Sequence, residues 1–336
     1  MSQKSNSIKE SNNEVNMKNL KYFISNIFKK REFAVILLIL IMSTLLIFST
    51  PNFLNKQNIR VLTDSIASDM IITIGLTFVL IIAGIDISVG ATIGLSAVFA
   101  AEIMAAGESM WIAIGAALLV GLIIGMINAF FIAILRVNPL ITTLAMQVTI
   151  RGVAIAKTKG YLIGGFPKEF EFFGQGKIGF IGTPIFIAIV IAVGAYLLLN
   201  YTAFFQQLYF IGGNEKAAQI SGIKIQKVKF IIYSISGLLA GLAGVIVLSR
   251  TMVGTSNIGT GAEFRAIPAA VIGGASLMGG EGNIIGPLFG VLLLAIINDG
   301  LVLLGVSAYY QALCQGIILL LAVSLDAILH RKEIRV

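Results

Sequence analysis

The chain has 336 residues, of which 57% are hydrophobic and 12% charged, with mean hydropathy +0.95 and formal net charge +8. A soluble globular domain carries roughly twice that charged fraction, so the composition excludes a soluble enzyme and points to an integral membrane protein. The positive charge clusters at the N-terminus, in one internal loop and at the C-terminus; that is the positive-inside pattern rather than a nucleic-acid footprint, and no nucleic acid is expected.

Residues 1–32 are polar and basic and form the first expected segment, on the cytoplasmic side. A first span is expected at Phe33–Thr50; Pro51-Asn52-Phe53 follows it instead of a small-residue cleavage site, so it reads as a retained span. After an outer loop with Lys56 and Arg60, spans are expected at Ile66–Ala83, Ser88–Ala105, Met110–Leu135 and Leu140–Ala156. The break Gly84-Ile85-Asp86-Ile87-Ser88-Val89-Gly90 puts an acid where lipid exposure is unfavourable, and Asp86 or Ser88 can cap the next helix. Gly121 and Gly125 form a GxxxG that can bring two helices close. An outer segment, 157–182, precedes a sixth span at Pro184–Leu199.

The polar loop 200–228 then interrupts the apolar sequence and carries Lys216, Lys224, Lys227 and Lys229. Within it Asn214 is a good N-cap, Glu215 suits a first turn, Ala217, Ala218 and Gln219 are helix-compatible, and Gly222 stops the helix. A short helix there can dock a soluble partner; a plain solvated connector fits the same residues. Further spans are expected at Phe230–Leu248, Ala266–Gly280, Ile284–Leu304 and Tyr309–Leu329, and 331–336 form a basic tail. The Ala266–Gly280 segment is short and broken by Pro268, Gly273 and Gly274, which suits a discontinuous element. The expected fold is therefore all-α and polytopic. It has about ten transmembrane helices, some short or discontinuous, a membrane body over 33–330 and both termini in the cytoplasm.

Catalysis finds little support. Cys314 and His330 are the single cysteine and histidine, so an intrachain disulfide, a multi-cysteine metal site and a histidine relay are excluded. HExxH and P-loop motifs are absent, since Gly176-Lys177 is followed by Ile178 without the upstream glycine. No catalytic, metal or cofactor site is expected on this chain. Transport is better supported: Asn128, Thr142, Thr143, Gln147, Asn298, Gln311 and Gln315 are neutral polar residues within spans that can hydrogen-bond a hydroxylated solute. The same groups can instead join helix to helix. Asp86, Glu281 and Asp326 lie near expected span ends, which argues against proton or sodium coupling.

Four stretches, in order, resemble the permease subunit of bacterial sugar importers of the ATP-binding-cassette class, the ribose/galactose/xylose type. They are Gly84–Gly90 with its Asp86 and Ser88; Asn138–Leu144 with Arg151-Gly152; the loop with Gly213-Asn214-Glu215-Lys216-Ala217-Ala218 and Ser221-Gly222-Ile223; and Gly259–Gly280, which ends in Gly273-Gly274 and Gly279-Gly280. The resemblance covers roughly 35–330. It implies a bacterial cytoplasmic-membrane subunit that translocates a monosaccharide, ribose or a related sugar first, delivered by an extracytoplasmic sugar-binding protein. It also implies a separate tandem ATPase that binds ATP and Mg, a second permease copy or paralogue, and a coupling helix over about Glu215–Ser221. The family usually has Gly-Arg after a threonine before this helix; here Thr202 is followed by Ala203-Phe204-Phe205 and Gln206 stands at the arginine position. A nucleoside permease of similar architecture and a non-transporting receptor or scaffold are the alternatives.

Overall fold

The computed structural model describes residues 31–333. Residues 1–30 and 334–336 lie outside it, and with them nearly all of the expected segment 1–32, part of the expected tail 331–336, and the side chain of His330. The chain is helical almost throughout. Its helices are α1 (Arg31–Ser49), α2 (Lys56–Ile81), α3 (Val89–Ala105), α4 (Met110–Ala129), α5 (Pro139–Thr158), the single turn α6 (Phe172–Gln175), α7 (Thr183–Tyr201), α8 (Ala203–Gly213), α9 (Glu215–Ile220), α10 (Ile225–Thr251), α11 (Glu263–Ile272), α12 (Ile285–Leu303) and α13 (Ala308–Glu333). The strands β1 (Lys177–Ile178) and β2 (Ile181–Gly182) make a small antiparallel hairpin ahead of α7.

Eight helices among the described residues are long and apolar enough to cross a membrane, so the chain is a multi-pass membrane protein. The two other expected crossings fall on shorter helices. α3 has 17 residues and α11 has 10, which at 1.5 Å per residue makes them about 25 Å and 15 Å long. α11 also carries Pro268 in its interior, where the missing N–H removes a helical hydrogen bond, and it ends at Gly273 well short of the expected Gly280. Several boundaries differ from expectation for local reasons. α2 begins at Lys56, not Ile66, because Asn55 accepts from the Gln57 amide at 3.1 Å and no breaker follows. Lys56 and Arg60 are thus helical rather than loop residues. α10 likewise extends past both ends of Phe230–Leu248.

Burial sorts the helices into centre and rim. In α2 and α10, 83% and 67% of the most apolar stretch is buried, against 11% in α1 and 12% in α13, which face outward with exposed leucines and isoleucines. The centre is held by the close approach of α4 and α10. Gly121 and Gly125 of α4 meet Gly237 and Gly241 of α10 backbone to backbone, so the GxxxG anticipated in α4 finds a matching seam. Beyond α4 the helix widens into a π-turn, Phe130–Ile134, and reverses through Arg136, whose φ of 58° is left-handed. Asn138 then caps α5, accepting from the Leu140 amide at 2.9 Å, with Pro139 at the first helical position.

Candidate functional site

The break between α2 and α3 is the first polar constellation. Asp86 is 1% exposed. Its Oδ1 accepts from the Ser88 amide at 3.0 Å and the Ser88 hydroxyl at 2.6 Å, and its Oδ2 accepts from the Ser236 hydroxyl of α10 at 3.1 Å. Asn128 of α4 donates from Nδ2 to Ser88 Oγ at 2.8 Å. Ser88 precedes α3 but makes no side-chain cap bond there; its hydroxyl serves Asp86 instead. The cluster joins the α2–α3 break to α4 and α10, and it consumes the polar capacity of most of its members. Asp86→Ala should therefore lower stability by about 3 kcal/mol, because it leaves buried serine donors unmet. Thermal unfolding of the purified protein in detergent checks this, and Asp86→Asn, which keeps an acceptor oxygen, should cost less.

The second constellation is a cavity of about 470 Å³ between α2, α10, α11, α12 and α13. Of the residues expected along a path, Asn298, Gln311 and Gln315 come together in its wall. The other four are placed elsewhere. Asn128 belongs to the Asp86 cluster, the Thr142 and Thr143 hydroxyls donate to the Asn138 and Pro139 carbonyls of their own helix end, and Gln147 Nε2 donates to Glu263 Oε1 at 2.8 Å. The cavity wall also carries charges that already have partners. Arg265 of α11 makes two bonds to Asp69 of α2, Nε to Oδ2 at 3.0 Å and Nη2 to Oδ1 at 3.1 Å. Asp299 accepts from Asn58 at 2.8 Å, and Arg250 donates to the Asp64 carbonyl at 3.2 Å. Three amide side chains share that wall: Gln311 Nε2 donates to the Val306 carbonyl at 2.8 Å, and Asn298 Oδ1 is buried with no partner among the described residues. A wall whose charged groups are engaged within the protein and that also carries amide side chains suits an uncharged, hydrogen-bonding molecule. Asp69 was the signal that composition alone hides, an acid inside an apolar span, which by default marks function.

The late glycine block closes the same region. Arg151 of α5 donates to the Ser256, Ile258 and Gly90 carbonyls and so ties α5 to α3 and to the turn segment leading into α11. A Cβ on Gly90 would run into Gly259 and the Glu263 carboxylate, so glycine alone allows α3 this approach. Gly273 at the end of α11 lies against Gly286 and Pro287 of α12.

α9 lies at the opposite end of α10 from this cavity. Asn214 caps it, accepting from the Ala217 amide at 3.0 Å; Ser221 is its C-cap, and Gly222 with φ 85° ends it. Much of the polar interval 200–228 is thus helical, in α8 and α9. Ala218 is buried and pins α9 to the body, while Gly213, Glu215, Lys216 and Ala217 face outward. Glu215 pairs with Lys229 of α10 at 2.8 Å. Gln206 of α8 donates to the Asn200 carbonyl at 3.1 Å and so reaches back to the end of α7. Ile220 at 88% and Phe210 at 65% exposure stand out beside α9. Neither stood out in the sequence: the loop 200–228 carries four isoleucines, and nothing local marks Ile220 as the exposed one.

Three backbone segments meet where α8 runs into α9. The Gly280 amide donates to the Ile81 carbonyl at 2.9 Å, and a Cβ on Gly212 would fall on both groups. Tyr209 donates to the Gly282 carbonyl at 2.7 Å, and burial pushes its hydroxyl pKa up, so it remains a donor. The end of α2, the end of α8 just ahead of α9, and the late glycine block thus share one contact.

Residues 58–323 match the family described as "Branched-chain amino acid transport system / permease component". The chain is 39% identical over 302 residues to the ribose import permease protein of Escherichia coli (strain K12), covering 89% of this chain and 93% of that protein. It is 41% identical over 292 residues to the ribose import permease protein of Bacillus subtilis (strain 168), covering 86% and 89%. An L-arabinose ABC transporter permease protein of Azospirillum brasilense is 35% identical over 294 residues, covering 87% and 86%. No solved structure matches the chain.

Proposed function

This chain belongs to the branched-chain amino acid transport system / permease component family, and from that premise we propose that it is the membrane-spanning subunit of an ATP-driven importer of a monosaccharide. Relatives named for ribose, L-arabinose and galactose import support a sugar cargo, with ribose or a related sugar first. The observation that carries the reading is the cavity of about 470 Å³ in which Asp69 and Arg265 neutralise each other and Asn298, Gln311 and Gln315 line the wall. A neutral polyol fits that wall; an ionised solute would have to break the Asp69–Arg265 pair.

In this reading α9 is the coupling helix and faces the cytoplasm, with its basic neighbours Lys216, Lys224 and Lys227. Both termini lie on that side, and α3 and α11 serve as short ninth and tenth crossings of the 33–330 body. A separate tandem ATPase binds ATP and Mg and seats α9; Gly213–Ala217, Ser221 and Gly222 form that contact, while Ala218 holds α9 to the body. A sugar-binding protein delivers the cargo to the far side, and a second permease copy or paralogue completes the path. The cavity is the outer part of the route, on which Asn298, Gln311 and Gln315 act directly. Asn128, Thr142, Thr143 and Gln147 act by holding α4 and α5 in place. Asp86, Ser88, Gly90 and the glycines 273, 274, 279 and 280 keep the broken elements in shape. ATP binding by the partner biases an equilibrium between inward-open and outward-open forms, and α9 passes the motion to its flanking helices as a rigid body.

The test is uptake by proteoliposomes that contain this chain, the ATPase and the binding protein. Radiolabelled ribose should accumulate with ATP. Asn298→Leu and Gln315→Leu should each lower uptake on the order of tenfold, because one polar contact to cargo is left unmade, with the complex still assembled on gel filtration. Full uptake by both variants would remove the cavity from the path. Accumulation of nucleosides instead of sugars would overturn the cargo, and no accumulation of either would favour a receptor.

A further inference from the structure

A groove of about 790 Å³ opens beside α9, at the end of the bundle where α4, α5 and α10 all reach their limits. Five cations line it: Arg136, Lys216, Lys224, Lys227 and Lys229. Its one lining carboxylate, Glu215, is held by Lys229 at 2.8 Å. The other four cations make no ion pair among the described residues. The chain brings Arg136 to the groove through the π-turn and a left-handed backbone, a conformation that disfavours any residue with a Cβ. Four unneutralised cations converge on one concavity that the sugar route does not use.

The level of the groove says what fills it. Met110–Ile134, Pro139–Thr158 and Ile225–Thr251 are membrane-crossing helices, and the groove sits at their shared ends, where headgroups replace hydrocarbon. Next to it, Ile134 of the π-turn, Leu135 after that turn and Ile141 of α5 are exposed apolar side chains, placed to meet acyl chains. We propose that this groove binds the phosphate of an anionic phospholipid, such as phosphatidylglycerol, from the leaflet on the α9 side. The lipid bridges Lys216 of α9 to Arg136 of the α4–α5 turn, so it fastens α9 to the membrane body. Basic pockets between transmembrane helices on the cytoplasmic side recognise anionic headgroups by this chemistry. The proposal does not depend on the cargo or on the energy source.

Native mass spectrometry of the purified full chain, titrated with dioleoyl phosphatidylglycerol or dioleoyl phosphatidylcholine, tests it. Retention of the anionic lipid should exceed that of the zwitterionic lipid on the order of tenfold. Arg136→Gln with Lys227→Gln should abolish the preference, and Arg136→Lys with Lys227→Arg should keep it. If the glutamine variant fails to fold, the native chain in about 1 M ammonium acetate serves instead, where screening should collapse the ratio. Equal retention of both lipids by the native chain overturns the proposal. So does a preference that survives the glutamine pair, or one lost equally when Lys168 and Lys177 on the opposite face are replaced. Displacement of the lipid by millimolar inorganic phosphate would identify a soluble anion as the occupant. A glutamine pair that keeps its lipid preference but no longer captures the ATPase would assign the groove to that protein.

Discussion

Gly237→Leu is expected to prevent the membrane body from assembling. A Cβ on Gly237 would lie 2.7 Å from Gly125 Cα and press on the Gly121 carbonyl. The obstacles are backbone atoms of α4, which cannot turn aside as a side chain can. Even Gly237→Ala should cost about 1–3 kcal/mol, the range for overpacking a filled interior. Leucine adds three carbons along the same vector and should leave little monodisperse protein after detergent extraction. Lipid tails solvate apolar helix faces as well as leucine does, so helices that cannot touch have little reason to associate. Gly115→Ala is the matched control, since a Cβ there meets nothing within 4 Å although Gly115 sits on α4, the helix that Gly237 packs against. Size-exclusion profiles and melting temperatures of the three variants decide the matter. Equal behaviour of Gly237→Ala and Gly115→Ala would mean that the seam does not hold the bundle.

The second large effect is expected without any loss of fold. Ile220 is 88% exposed at the end of α9, so nothing in this chain rests on it. Ala217 and Lys216 are exposed on the same short helix, while Ala218 is turned inward. An apolar residue presented in this way suits a groove on a partner, and central apolar anchors of interfaces carry about 2–4 kcal/mol. Ile220→Asp should therefore lower ATP-driven uptake on the order of a hundredfold. The melting temperature of the isolated protein should stay within a degree or two, as for ordinary surface changes. Pull-down of the ATPase should fall in parallel. Normal capture combined with lost uptake would place Ile220 in transmission of motion rather than docking. Normal uptake would remove α9 from the interface altogether.

Composition and apolar runs were enough to read this chain as an all-helical membrane protein, because hydrocarbon admits few other backbones. Caps were legible where a single side chain does the work: Asn214 starts α9 and Gly222 ends it, as their chemistry requires. Span limits were less legible. The polar start of α2 reads as loop because helices that outrun the membrane need no apolar residues there, and only the Asn55 cap marks its beginning. The candidate site was half legible. Asn298, Gln311 and Gln315 meet in one cavity because α12 and α13 both pack against α11, but pairing between distant helices has no local signature. For that reason Gln147 could not be assigned beforehand to Glu263, nor Asp69 to Arg265. Thr142 and Thr143 show the opposite limit: a hydroxyl within reach of its own helix carbonyls satisfies itself, and sequence does not reveal that choice.

The meeting of Ile81, Gly212 and Gly280 bears on stiffness. Where side chains separate two helices, rotamer changes absorb a displacement of several tenths of an ångström before the neighbour feels it. Here an amide rests on a carbonyl with glycine packed beside them, and no rotatable bond lies between. Any shift imposed on α9 reaches the end of α2 and the turn after α11 almost undiminished. The junction therefore has little compliance, and the two broken membrane elements respond together to a push delivered more than one helix away.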